Sequence, residues 1–322
     1  MTRLGFHASH EQLSPTALLD AVQLAEHVGF TEAMCSDHFA PWSTRQGESA
    51  FAWAWLGAAL QATRLRFGVV NAPGQRYHPA IIAQAIATLG AMFPDRIWTA
   101  FGSGENLNER ITGDRWPSKP ERHERLEQSV HVIRELLAGH EVSHEGRVRV
   151  DRARLWTLPE HPVRLFATAV TPETAAWAAG WADGLITVNQ PPEALKSVIG
   201  AYRDAGGAGA VMLQQHVAYA ETHEQALREA HEQWRTNVFG PPVCWDLDSP
   251  EAFEQASAHV TPEQVQGSVF VSADASAHVD EVGRMLDLGF DRIYLHQVPN
   301  DQQVFLEMAS THLIPAFAEV AT

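Results

Sequence analysis

A histidine beside a carboxylate and followed by aromatic rings is equipped to move a proton and to hold a flat organic molecule. Ser36-Asp37-His38-Phe39 is such a stretch, with Pro41 and Trp42 next along the chain. An imidazole whose ordinary pKa is about 6.5 exchanges protons at neutral pH, and an indole in the same loop offers a stacking surface. A second stretch, Gly102-Ser103-Gly104-Glu105, combines glycines that let backbone N–H groups approach a ligand with a carboxyl that can give a proton. Asn108 and Glu109 add polar groups just beyond it. It matches neither the dinucleotide fingerprint nor the P-loop, so no nucleotide-phosphate motif is met.

For these residues to meet, and for His7, Asn71, residues 168–171, Asn189 and His296 to join them, the chain must bring distant strand ends together. Short β-type runs over 3–7, 31–35, 65–70, 96–101, 163–168, 184–188, 211–217 and 291–295 alternate with helical patterns. The helices fall over 14–28, 79–93, 121–137, 172–182, 192–205, 223–234, 276–288 and 302–312; in the second of these Ile82, Ala85, Ile86 and Leu89 share a face and Pro79 suits a first turn. Alternation predicts parallel strands joined by helical crossovers, and eight repeats close a (β/α)8 TIM barrel. An open doubly wound sheet is the competing architecture. A single barrel domain over 1–322 is expected, with insertions after the fourth strand (102–162) and between the seventh and eighth (218–290). In such a barrel the C-terminal ends of the strands face one mouth, which is where all the residues named above would lie. Phe51 and Trp55 share roughly one helical face and Trp53 lies on another, which reads as ordinary core and surface tryptophan and makes Trp42, in its loop, the better stacking candidate.

Composition narrows the function classes. With 39 acidic against 23 basic residues the net charge is −16, which repels a phosphate backbone or an anionic membrane surface. No apolar run is long enough for a signal peptide or a membrane span. The two cysteines, Cys35 and Cys244, lack metal-binding spacing, and Cys35 at a strand end reads as a small core residue. A cytoplasmic protein acting on a small molecule is expected, with no nucleic acid and no membrane. A metal-dependent barrel hydrolase using His7, His38, His296 and Glu105 as ligands is a second reading, although neither HExxH nor GxSxG is present.

Together with Arg76-Tyr77-His78-Pro79-Ala80, Trp116-Pro117, Gly180-x-x-Asp183-Gly184, Leu288-Gly289-Phe290 and Leu295-His296, the two stretches resemble the bacterial luciferase-like superfamily. The similarity runs from Leu4 to about Phe317, nearest the branch containing the deazaflavin-dependent glucose-6-phosphate dehydrogenases. The resemblance implies a TIM barrel with a planar flavin or deazaflavin in its mouth, and a homodimer. It implies that His38 acts on a substrate proton, that Trp42 shapes the substrate pocket and that Glu105 lies near the ring. His7, Asp37, Val70, Asn71, Ser103, Gly104, Asn108, Ala169, Val170 and Thr171 would border the cofactor. Val188, Asn189 and His296 would border the substrate.

The departures from that branch shape the expectation. Where the sugar-phosphate dehydrogenases place a threonine and a lysine after the sixth strand, this chain has Val188 and Pro191, and Gly267 replaces a second lysine. Each missing cation removes a charge-assisted hydrogen bond of roughly 1.5–3 kcal/mol, which argues against a sugar phosphate. Paired glycines near the cofactor phosphate become Val170 and Thr171, whose Cβ atoms are expected to obstruct close approach, and the loop 68–73 reads as one residue shorter. From these changes the expected cofactor is FMN and the expected activity a monooxygenase acting on a small organic substrate, fed by a flavin reductase. Hydride transfer with the 8-hydroxy-5-deazaflavin coenzyme F420 is the alternative, and a flavin-binding protein without turnover a third reading.

Overall fold

The computed structural model describes residues 3–318. Its eight principal strands are β1 (Leu4–Ala8), β2 (Glu32–Ser36), β3 (Arg66–Asn71), β4 (Ile97–Phe101), β5 (Arg164–Thr168), β6 (Gly184–Val188), β7 (Ala210–Ala218) and β8 (Arg292–Gln297). All pair in parallel. β8 pairs with β1 from Leu4↔Ile293, and β6 with β7 from Gly184↔Ala210 to Val188↔Gln214, so the sheet closes into a barrel and the open doubly wound alternative is excluded.

The crossover helices begin where capping chemistry starts them. Ser14, His78 and Thr171 accept backbone N–H groups of the first turns of Pro15–His27, Pro79–Met92 and Pro172–Ala178, each with proline at the first helical position. Trp53 and Trp55 are buried core residues of the helix Ala52–Ala62, and Trp55 Nε1 donates to the Pro15 carbonyl at 3.0 Å. Inside the barrel, Trp98, Phe166 and Tyr294 pack with Met34, Ile186 and Met212. Trp98 fits because a Cβ on Gly68 would lie 2.0 Å from its ring. The Tyr294 hydroxyl donates to Glu32 at 2.8 Å, and Arg66 and Arg292 pair with the same carboxylate at the N-terminal end of the strands. That end is therefore plugged, and the cavity opens at the C-terminal ends.

Both expected insertions are present. The one after β4 carries the helix Lys119–Leu137 and an antiparallel hairpin, Val142–Glu145 with Arg149–Ala153. The hairpin is too polar to announce itself by alternation. The insertion between β7 and β8 holds the helix His223–Trp234, short helices Val243–Asp246, Pro250–Ala256 and Pro262–Val265, and the two-residue strand Phe270–Val271 beside the end of β7. It roofs the mouth and is fastened on two sides. Trp116 Nε1 donates to Asp246 at 3.0 Å and Arg110 to the Asp248 carbonyl at 2.8 Å, while Thr44 donates to Glu254 at 2.7 Å. The last expected helix is Gln302–Met308 followed by a π turn, Ala309–Leu313. Among the described residues no helix is long and apolar enough to cross a membrane.

Candidate active site

A cavity of about 500 Å³ occupies the mouth. On its wall His38, just past β2, stands between two carboxylates. Its Nδ1 lies 2.5 Å from Glu11 Oε1, and its Nε2 lies 3.8 Å from Glu105 Oε2. Burial alone would hold the imidazole neutral, but the Glu11 charge and hydrogen bond, joined by the Glu105 charge, raise its pKa above the usual value. Glu11 responds in the opposite sense. Burial opposes its ionisation, yet His38 and the Ser9 hydroxyl hold it well below the usual carboxylate range. For Glu105 burial wins over the pull of His38 and of the Asn108 amide, and its carboxyl is pushed up. Asn108 locks these groups together. Its Oδ1 accepts from Phe39 N at 2.8 Å and Ala40 N at 3.2 Å, while its Nδ2 donates to Glu105 at 3.1 Å. Trp42 packs edge-on against both the His38 ring, at 5.2 Å, and Phe253 of the roof, at 5.3 Å.

Behind this group a buried ionic brace joins the loops after β2, β3 and β4. Arg76, 5% exposed, lies 3.5 Å from Asp37 Oδ2 and 3.6 Å from Glu109 Oε1, and it also donates to the Asp37 carbonyl at 2.6 Å. Asn71 Nδ2 donates to Asp37 at 2.8 Å, and the Arg76 backbone N–H donates to Glu109 at 2.8 Å. The Ser36-Asp37-His38, Arg76-Tyr77 and Glu105-to-Glu109 stretches are thus one assembly, in which Asp37, Arg76 and Glu109 fix the loops that present His38 and Glu105.

A third group lines the side of the cavity formed by β7, β8 and β1. Gln12 donates to the Val298 carbonyl, so its oxygen receives His296 Nε2–H at 2.5 Å. Gln214 Nε2 then donates to His296 Nδ1 at 3.4 Å and to His216 Nε2 at 3.2 Å. His7 lies against His296 with ring centroids 4.4 Å apart, and Trp234 packs on His216 and His296. Burial lowers His7 to about 3, His216 to about 4 and His296 well below its ordinary value. These imidazoles are neutral, and hydrogen bonds select the tautomers of His216 and His296.

The geometry has counterparts in known proteins. The chain matches the luciferase-like monooxygenase family over residues 1–292. It belongs to that family, and with it to the oxidoreductases. An F420-dependent glucose-6-phosphate dehydrogenase from Microbacterium testaceum is 34% identical over 97% of this chain and 96% of its own length. The Mycolicibacterium smegmatis protein of the same description is 33% identical over 99% of each chain. A solved F420-dependent secondary alcohol dehydrogenase, in complex with an F420–acetone adduct, superposes with a TM-score of 0.91 at 30% identity, covering 99% of both chains. These relatives overturn the expectation of an FMN-dependent monooxygenase and favour the deazaflavin alternative.

The structure of this luciferase-like chain explains why the FMN argument failed. Thr171 does not line the cavity; its hydroxyl accepts from Thr174 N and caps the helix that follows. Only Val170 faces the cavity, so the expected obstruction reduces to one valine side chain. The shorter loop after β3 is absorbed as well, since β3 stays paired with β4 through Asn71↔Phe101 and Asn71 remains on the wall.

Of the other residues expected at the site, His7, Asp37, His38, Trp42, Val70, Asn71, Ser103, Gly104, Glu105, Asn108, Ala169, Val188, Asn189 and His296 all line the cavity. Two of them are engaged by the protein itself: the Asn189 amide pairs with the His216 backbone, and both His296 ring nitrogens have partners. The ligand set of the hydrolase reading does not assemble, because His38 and Glu105 belong to one group and His7 and His296 to another. Among the described residues no three His, Cys, Asp or Glu are placed to hold a metal ion. Cys35 is fully buried, and burial raises its thiol pKa well above the ordinary value, as a core role requires. Sequence reading missed Glu11, Gln12, Gln214, His216 and Trp234. The cavity suits a planar ring with a polar edge. Asn71 Oδ1 on its wall is buried without a hydrogen-bond partner, and at Gly104 (φ +86°) the chain turns in a conformation that only glycine adopts readily.

Proposed function

We propose that this chain is an F420-dependent dehydrogenase that moves a hydride between a small, uncharged secondary alcohol, or the corresponding ketone, and the deazaflavin. The observation that carries the reading is His38, held between two glutamates whose proton affinities are pushed in opposite directions, Glu11 down and Glu105 up. When bound, F420 supplies a ring carbon that accepts a hydride as a two-electron unit. His38 Nε2 takes the hydroxyl proton of the alcohol as its C–H bond delivers the hydride, and Glu11 at Nδ1 stabilises the imidazolium that results. Glu105, whose proton affinity is raised, would supply the proton that the reduced coenzyme takes up. Trp42, Asn71 and Asn108 position the reactants, and the roof over the mouth limits water.

The substrate class is supported by the wall opposite His38. Pro191 and Gly267 line the cavity, so it presents no cation at the positions where the sugar-phosphate dehydrogenases place lysine. Among the described residues the lysine and arginine side chains on the cavity wall are Arg76, already braced by two carboxylates, and Lys119. Purified protein mixed with F420 and 2-propanol is expected to bleach the coenzyme's visible absorbance, and acetone to restore it from the reduced form. Bleaching with glucose 6-phosphate but not with the alcohol would refute the substrate class. No turnover with F420, together with oxygen uptake on reduced FMN, would refute the reaction.

A second copy of the chain is the proposed protein partner; the alcohol supplies the electrons, so a flavin reductase is not required. The helices Ala52–Ala62 and Pro79–Met92 follow β2 and β3 around the barrel and contain no charged residue, unlike the other long crossover helices. Phe51, Ile81 and Met92 on or beside them are more than half exposed. A helix that is apolar on its outer as well as its inner face is one that a partner covers.

A further inference from the structure

We propose that Lys119, backed by Arg122, seats the anionic tail of the deazaflavin coenzyme, the part that carries a phosphodiester and carboxylates. The proposal rests on the F420 reading above. The chain has two lysines, Lys119 and Lys196. Lys196 pairs with Glu193 at 2.9 Å on the surface. Lys119 instead lines the cavity, and among the described residues no carboxylate lies within 4.0 Å of it; its Nζ rests 5.2 Å from the centre of the Trp245 ring. Next to it Arg122 is 4% exposed, stacks 4.4 Å from Trp116 and 5.8 Å from Trp245, and donates to the Pro117 carbonyl at 2.8 Å. It too has no carboxylate within 4.0 Å, and its Nε is buried without a partner.

In a chain of net charge −16 this is an unusual place. Of the arginines nearby, Arg110 pairs with Asp248, Arg115 with Glu121, Arg134 with Asp183 and Arg147 with Glu124, while Arg125 donates to Gln75. Lys119, on the cavity wall, and Arg122 behind it stand where the segments following β4 and β5 meet. There His123 stacks on Trp177 at 4.4 Å and 13°, and His123, Thr174 and Trp177 all line the cavity. Burial, followed by the charges of Lys119 and Arg122, lowers His123 to about 4, which marks the field of the two cations. Glu173 and Asp246 act on Lys119 and Arg122 only from beyond 4.0 Å, and a cation on a cavity wall with no carboxylate in contact is matched by an anionic ligand. The coenzyme supplies several negative groups on one flexible chain, whereas the proposed alcohol substrate supplies none.

The test compares F420 with the same deazaflavin lacking phosphate and carboxylates, each titrated into purified protein by coenzyme fluorescence at low and high salt. F420 is expected to bind more tightly than the tail-less ring, with an advantage that shrinks as salt rises. Lys119→Gln is expected to weaken F420 about five- to tenfold, to leave the tail-less ring unchanged and to flatten the salt dependence, and Lys119→Arg to restore wild-type behaviour. Equal loss for both compounds, or no loss for either, overturns the assignment. So does a Lys119→Gln effect confined to competition by glucose 6-phosphate, because the cation would then serve a substrate phosphate. If wild-type protein binds neither deazaflavin, the F420 reading itself fails, an outcome distinct from failure of the tail site.

Discussion

Replacing Glu11 by Gln isolates the electrostatics of the site with little change of shape. The carboxylate lies 2.5 Å from His38 Nδ1, so the substitution exchanges a charge-assisted hydrogen bond for a neutral one. Such a bond contributes about 1.5–3 kcal/mol, and at about 1.4 kcal/mol per unit this lowers the His38 pKa by about 1–2 units. Glu105 at 3.8 Å remains and keeps the shift toward the lower part of that range. In alcohol oxidation His38 must be unprotonated, so kcat/KM climbs with pH through its pKa. The wild-type limb is expected above the ordinary histidine value, and the Glu11→Gln limb about 1–2 units lower, with a plateau reduced on the order of tenfold because the base is weaker and less well oriented. Stability gives an independent reading. The folded pKa of His38 lies above its unfolded value, so its contribution is fully present below about pH 6.5 and is lost as the pH rises through the folded value. Urea unfolding should therefore find Glu11→Gln most destabilising near pH 6 and less so near pH 9. An unshifted or upward-shifted limb, or a stability loss that grows with pH, would show that Glu11 does not set the His38 proton affinity.

Other substitutions probe the rest of the assembly. His38→Asn is expected to lower kcat/KM about 10²–10⁴-fold while coenzyme binding, followed by fluorescence, stays near wild type; loss of binding in parallel would make His38 a binding residue. Arg76→Met strands Asp37 and Glu109 as buried acids and is expected to cost about 3–5 kcal/mol in urea unfolding, whereas a loss under about 1 kcal/mol would mean that the brace is energetically neutral. Gly104→Ala forces a Cβ into a left-handed conformation, 2.9 Å from Glu109 Cγ, and should cost at least about 1–2 kcal/mol, read as a lower Tm. Phe51→Glu combined with Ile81→Glu is expected to halve the sedimenting mass; an unchanged mass would place any interface elsewhere.

Much of the fold was legible because its signals are local. Ser14-Pro15, His78-Pro79 and Thr171-Pro172 start helices by capping and fixed φ, and the strand runs between them could only be parallel. The mouth residues followed from position and motif, since Asp37, Asn71 and His296 sit at or next to strand ends and Glu105 closes the Gly102-Ser103-Gly104 turn after β4. Glu11 was missed because a carboxylate three residues beyond a strand looks like a solvated loop residue until the chain folds it onto His38. Gln214 and His216 did carry a signal. They alternate with Met212 along β7, and residues two apart share a face, so polar side chains continuing an inward apolar row point into the site. Trp234 reaches the cavity from a distant insertion that no local pattern places. The cofactor expectation failed for a related reason: a Cβ obstructs only if it faces the ligand, and the direction of Thr171 is set by the helix it caps.

The chemistry of the site reduces to two glutamates given opposite tasks by their surroundings. Glu11 and Glu105 flank the same imidazole, both largely out of water. Glu11 has an imidazole nitrogen at 2.5 Å and a serine hydroxyl at 2.7 Å, and these keep it ionised against its burial. Glu105 has only an amide at 3.1 Å and the more distant face of the ring, so its burial prevails. Paired acids whose environments separate their proton affinities divide the work between them. Glu11, with its proton affinity lowered, makes its neighbour a stronger base, and Glu105, with its affinity raised, is the better proton donor of the two. The proposed alcohol oxidation needs both at once, a base for the hydroxyl and an acid for the acceptor, and His38, hydrogen-bonded to Glu11 and 3.8 Å from Glu105, brings them together.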